Sequence, residues 1–188
     1  MPTVCAGPVT RVREITDRYR AEWADLQGLW PVLVSYALSF VFVGIYWVNH
    51  HHMIHMVKKV NGRVLWANLY LLFWLSLVPF VTAWMGENHF ARNPTVLYGV
   101  NALMAAIAYT KLLKECRAAN GTDNLLGASA RGPGEHKGRL SLAMYALAIL
   151  AATYWHTTVS LVLFALVSFM WFIPDKRIEA VFNQSSSK

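Results

Sequence analysis

From residue 26 to residue 57 the chain carries no Asp, Glu, Lys or Arg, an uncharged run of thirty-two residues. A helix needs only ~20 such residues to cross the hydrocarbon of a bilayer, and a soluble core helix needs far fewer. The run sits within LWPVLVSYALSFVFVGIYWVNHHHMIHMVKK, residues Leu29 to Lys59, and ends in a cluster of Trp, Asn and His. Composition agrees: 56% of the chain is hydrophobic, 14% is charged and the mean hydropathy is +0.35, too little charge for an ordinary water-soluble domain. A net charge of +7 raises nucleic acid as a partner, but the basic residues lie between apolar runs rather than along one face, so nucleic acid is not expected. Cys5 and Cys116 are far apart and in no metal-binding or redox spacing. The first thirty residues lack a short apolar segment with a small-residue cleavage site, so no removable signal peptide is expected.

The expected fold class is all-α, a polytopic membrane helix bundle. Residues 1–28 form an N-terminal segment in which Arg11 to Gln27 reads as an amphipathic helix, with Val12, Ile15, Tyr19, Trp23 and Leu26 at three- and four-residue steps. It suits the membrane interface or a solvated surface equally. Residues 29–179 form the membrane domain, and 180–188 a polar tail. Five spans are predicted, at 30–51, 64–85, 95–110, 140–154 and 158–173. Ser35, Ser39 and Gly44 make a small-residue stripe on the first that lets another helix approach. In the second, Asn68 should face the bundle interior, and Pro79 should kink the helix and free a carbonyl for Ser76 or Thr82. The third should open with Asn93 as N-cap and Pro94 at the first helical position. Thr110 to Arg139, with six Lys or Arg, reads as a long mobile loop.

The thirty-four residues Leu140 to Ile173 are again free of charge. As one helix they would measure about 51 Å against a hydrocarbon of ~30 Å, so the run must turn, and Tyr154 to Thr158 mark the place. With five spans, twelve of the seventeen basic residues share one side, which puts the C-terminal tail in the cytoplasm. The same arrangement leaves Arg11, Arg13, Arg18 and Arg20 outside, a conflict that a further preceding span would remove.

His50, His51, His52 and His55 are the main chemical cluster. On a continuing helix His51 and His55 share a face at ligand spacing, yet no third ligand or carboxylate is close in sequence. Imidazoles that bond to neighbouring helices are the favoured reading, and histidines so placed would make activity proton-sensitive. Val96-Leu97-Tyr98-Gly99 echoes carbonyl-lined potassium filters but lacks the preceding Thr-Val-Gly. Asn120-Gly121-Thr122 and Asn183-Gln184-Ser185 fit the glycosylation pattern but fall on the predicted cytoplasmic side. No nucleophilic triad, paired in-membrane carboxylates or phosphate loop occurs, and no enzyme activity is expected.

SYALSFVFVGIYWVNHH followed by RVLWANLYLLFWLSLVPFVTAWMGENHF resembles the second and third helices of the endolysosomal potassium-channel family, transmembrane protein 175, in its short bacterial form. GIYWVNHH, LWANL and WLSLVPF, in this order and spacing, carry the likeness, which runs more weakly through LYGV and YALAIL to WFIPDKRIE, about Leu29 to Glu179. The resemblance implies a potassium-selective, leak-type channel subunit of the bacterial plasma membrane, assembled as a homotetramer around a potassium pathway, with no cofactor. Matching positions imply that Asn49, His50, His51, Trp66 and Asn68 support or gate the pore. The family's pore-lining first helix, with its Phe-Ser-x-x-Asp motif, has no counterpart in residues 1–28, so no selectivity residue carries over. Three readings of that departure stay open: a start downstream of the true initiation site or a frame shift, a pore-less non-conducting paralogue, or an N-terminal helix that rearranges into the pore. Arginines disfavour the last, since they would repel potassium. A metal- or haem-binding membrane protein using the histidines is the alternative from a different class.

Overall fold

The computed structural model describes residues 30–55, 57–120 and 133–172, and among them every regular element is a helix. These are α1 (Trp30–His55), α2 (Gly62–Ser76), α3 (Val78–Glu87), α4 (Arg92–Asn120), α5 (Pro133–Tyr154) and α6 (Thr157–Phe172). The amphipathic helix expected at Arg11 to Gln27 and the polar tail at 180–188 lie outside the described residues.

Three of the connections are short and held by local hydrogen bonds. Between α1 and α2, Asn61 takes an extended backbone (φ −119°, ψ 174°) and its side chain accepts the Val64 N–H at 3.0 Å, an N-cap of the usual kind. The same link is fastened from α4. Asn120 Oδ1 accepts the N–H groups of Lys58 and Lys59 at 2.7 and 2.8 Å, and its Nδ2 donates to the Lys59 carbonyl at 3.1 Å. Between α3 and α4, His89 and Phe90 adopt left-handed backbone (φ 50° and 57°), and the Phe90 N–H reaches back to the Met85 carbonyl at 3.0 Å, closing the helix end.

The sharp turn in the last uncharged run is where its length requires it. α5 ends at Tyr154, α6 begins at Thr157, and Ser160 Oγ donates across the hairpin to the buried Ala148 carbonyl at 2.7 Å. Tyr154 and Trp155 are exposed at its tip.

Four boundaries differ from those predicted. α1 continues past residue 51 to His55. The third helix starts at Arg92, so Asn93 is not its N-cap and Pro94 stands third, still within the turn where a missing N–H costs nothing. It also runs on to Asn120, through much of the stretch expected to be loop. Leu112 and Cys116 recur at four residues and bury against the core while Lys111 and Lys114 are exposed, a helical period that the basic composition masks. α5 likewise starts at Pro133, at the first helical position, rather than at residue 140.

Pro79 interrupts the second apolar helix, with the break at Leu77 between α2 and α3. The carbonyl that Pro79 leaves free, that of Leu75, accepts the Leu77 N–H instead of a side chain. Ser76 Oγ donates to the Phe73 carbonyl at 2.7 Å, and the buried Thr82 hydroxyl has no partner, so neither takes the predicted role.

α4 is the central helix. Its Ala102, Ala105, Ala106 and Ala108 are buried, and Ala148, Ala151 and Ala152 give α5 a matching small face, which lets backbones approach where no water-driven collapse is available. Around this runs a chain of edge-to-face rings: Phe42 to Tyr98 at 6.2 Å, Tyr98 to Phe164 at 4.9 Å, Tyr46 to Tyr109 at 6.1 Å and Tyr109 to Trp171 at 5.8 Å. Of the small-residue stripe on α1, Ser39 is buried, whereas a Cβ on Gly44 would meet nothing within 4 Å.

The outer faces are apolar. Phe40 and Trp47 on α1, Leu69 and Phe73 on α2, and Leu166 and Phe169 on α6 are all exposed, more apolar surface than a soluble monomer presents. Among the described residues two helices are long and apolar enough to cross a membrane, Gly62–Glu87 taken through its break and Arg92–Asn120.

Gly99 is the tightest point of the packing, because a Cβ there would stand 2.8 Å from Ile149 Cγ1 and 3.1 Å from Phe164 Cζ. Gly99→Val should therefore destabilise by about 1–3 kcal/mol, read as a lower thermal midpoint in detergent. Gly138→Ala, inside α5 and with a Cβ that meets nothing within 4 Å, should raise the midpoint slightly.

Candidate functional site

The end of α1 and the start of α2 bring two of the sequence-predicted residues together. His50 Nε2 lies 2.8 Å from Asn68 Oδ1, the imidazole donating to the amide oxygen. Both side chains are half-buried, as a polar pair between apolar helices must be. Asn68 thus faces inward as its chemistry requires.

The other three predicted residues do not converge on that pair, and helical geometry explains why: each step along a helix turns a side chain by about 100°. Asn49, one step from His50, points to a different neighbour. Its Nδ2 donates to the Ile45 carbonyl at 2.8 Å and to the Trp171 carbonyl of α6 at 3.4 Å, and its own carbonyl accepts the Tyr109 hydroxyl of α4 at 3.3 Å. His51 is exposed, stacked on Trp47 at 5.1 Å and set edge-on against His55 at 4.3 Å. Trp66 stands two steps from Asn68, hence about opposite, and is 74% exposed.

His50 thus turns away to α2, while His51 stands beside His55 and, at 6.4 Å, His52. Among the described residues no three His, Cys, Asp or Glu side chains gather as a metal site would need.

A second polar cluster escaped the sequence reading. Trp171 Nε1 donates to Ser141 Oγ at 2.7 Å, Ser141 Oγ donates to the Lys137 carbonyl at 2.8 Å, and Asn49 and Tyr109 complete a chain of bonds across α1, α4, α5 and α6. These side chains line a cavity of about 30 Å³, together with Tyr46, Tyr145 and Ser168. One water fills about that volume in the liquid, so the cavity is far too small for a haem. The sequence signal was available: a serine and a tyrosine inside uncharged runs need partners in lipid, but nothing in one sequence says which helix supplies them.

Helices of membrane-crossing length and apolar outer faces make the described residues an all-helical membrane protein. A family model described as endosomal/lysosomal potassium channel TMEM175 matches residues 4–79. A protein of Chryseobacterium named as a potassium channel is 45% identical over 159 residues, which cover 85% of this chain and 81% of that one. Potassium channels of Streptomyces collinus and Chamaesiphon minutus are 30% and 31% identical over 94 and 110 residues, covering 48% and 57% of this chain and 46% and 53% of theirs. No solved structure matches. The chain belongs to the TMEM175 potassium-channel family. The match begins at residue 4 and so includes most of the N-terminal stretch in which no Phe-Ser-x-x-Asp motif occurs.

The His50 and Asn68 contact should be measurable as a coupling. In a double-mutant cycle of His50→Phe and Asn68→Leu, the pair should show an interaction energy of about 0.5–1.5 kcal/mol in thermal or denaturant unfolding. Trp66→Leu combined with His50→Phe should be additive.

Proposed function

We propose that the protein is the subunit of a potassium-selective, leak-type channel of the bacterial plasma membrane, which works as a homotetramer. The single observation that carries this reading is the 45% identity to a protein named as a potassium channel, extended over 85% of this chain.

Physical features support it. Alanines and rings pack the middle of the described bundle, which fits conduction between copies, along faces such as the exposed side of α1. Five spans fit the element lengths: α1, Gly62–Glu87, α4, and the hairpin of α5 and α6, with the 26 residues of α1 measuring about 39 Å. Their uncharged middles give the transmembrane potential nothing to move, in keeping with leak-type behaviour. This arrangement leaves Lys58, Lys59, Arg63 and the C-terminal tail on the cytoplasmic side. The bond between His50 and Asn68 would fix α1 against α2, while Asn49 would hold α1 to α6, and so set the face that α1 presents to other copies. His51, exposed on another face of α1, would meet a second copy.

Reconstituted in liposomes with a potassium gradient, the protein should pass potassium faster than sodium, and His50→Phe should lower the flux severalfold. Vesicles whose potassium flux equals that of protein-free vesicles would contradict the reading.

A further inference from the structure

Beside the start of α2 lies an open pocket of about 610 Å³, lined by Asn61, Gly62, Arg63, Trp66, Lys111 and Glu115 among others. Its charged lining is Arg63 and Lys111 against the single carboxylate of Glu115, and Lys58, Lys59 and Lys114 lie next to the lining residues in sequence. Arg63 and Lys111 are exposed. The Lys111 ammonium sits 5.6 Å from the centre of the Tyr70 ring, a cation–π contact that holds it at the pocket. The clamp from Asn120 fixes the backbone of Lys58 and Lys59 and leaves their charged ends unused by it.

What identifies the ligand is the surface that continues from this charge. Leu65, Trp66, Leu69, Leu72 and Phe73 follow on α2 and are all exposed. From Arg63 to Phe73 the helix rises about 15 Å, half of a hydrocarbon thickness of ~30 Å and so the depth of one leaflet. Cations in a pocket at headgroup height, an exposed Trp at the boundary and an apolar strip one leaflet long match a molecule with an anionic phosphate head and acyl chains. A nucleic acid would have no use for the strip.

We propose that this pocket binds the headgroup of an anionic phospholipid, with Arg63 and Lys111 on the phosphate and Trp66 against the glycerol region. The inference rests on Gly62–Glu87 lying in a bilayer and not on ion conduction, so its failure and that of the channel reading are separable.

Native mass spectrometry of the purified full chain, equilibrated with equal amounts of phosphatidylglycerol and phosphatidylcholine, tests it. Phosphatidylglycerol should be retained preferentially, and the Arg63→Gln/Lys111→Gln variant should lose that preference by roughly tenfold. Glu115→Gln, which removes the opposing carboxylate and provides a second variant should the first fail to fold, should raise it. Equal retention of the two lipids, or an unchanged preference in either folded variant, overturns the proposal. So does displacement of the lipid by millimolar inorganic phosphate or glycerol 3-phosphate, which would make this a site for the free anion.

Discussion

A polar atom placed in hydrocarbon must find its partner within the protein, and most of this structure follows from that requirement. Several hydroxyls on the apolar helices bond to a carbonyl of the preceding turn, as Thr110 does to Ala106, Thr153 to Ile149 and Ser168 to Phe164, at 2.7–3.0 Å, whereas the buried Thr82 hydroxyl has no partner. These bonds cost nothing in fold and add nothing between helices. The few polar groups that reach across are the ones that join elements: His50 to Asn68, Asn49 to α6, Tyr109 to α1, Trp171 to α5 and Ser160 across the final hairpin. Close packing on alanine and on Gly99 brings the backbones near enough for such contacts.

The same requirement links structure to role. Inside, the middle of the described bundle is packed with alanine and a belt of rings; outside, it offers apolar faces that lipid or a second copy must cover. The polar pairs at the end of α1 set how that helix stands against α2, α4 and α6.

Much of this was legible in the sequence, and for physical reasons. An uncharged run of thirty-four residues is too long for one span, so the turn near Tyr154 could be placed by length alone. Asn68 in an apolar helix had to face inward, and GIYWVNHH with LWANL named the family before any contact was seen. Composition misled where it hid a period: the lysines of KLLKECRAAN read as loop, although Leu112 and Cys116 continue the buried stripe of α4. The five site residues could be chosen but not assembled, because neighbours in sequence point about 100° apart on a helix and the partner of each depends on the crossing of other helices. Pro79 predicted a break but not that a backbone N–H would take the freed carbonyl.

The claim beneath all of this is that the exposed apolar faces of α2 and α4 sit in lipid while their basic ends sit in water. The direct measurement is the rate at which single cysteines, introduced one at a time into a background with Cys5 and Cys116 replaced by Ser, react with a charged, membrane-impermeant maleimide in inside-out vesicles. Cysteine at Leu69, Phe73 or Val100 should stay unmodified while cysteine at Lys59 or Lys114 reacts fully within minutes; comparable labelling at all five positions would contradict the account.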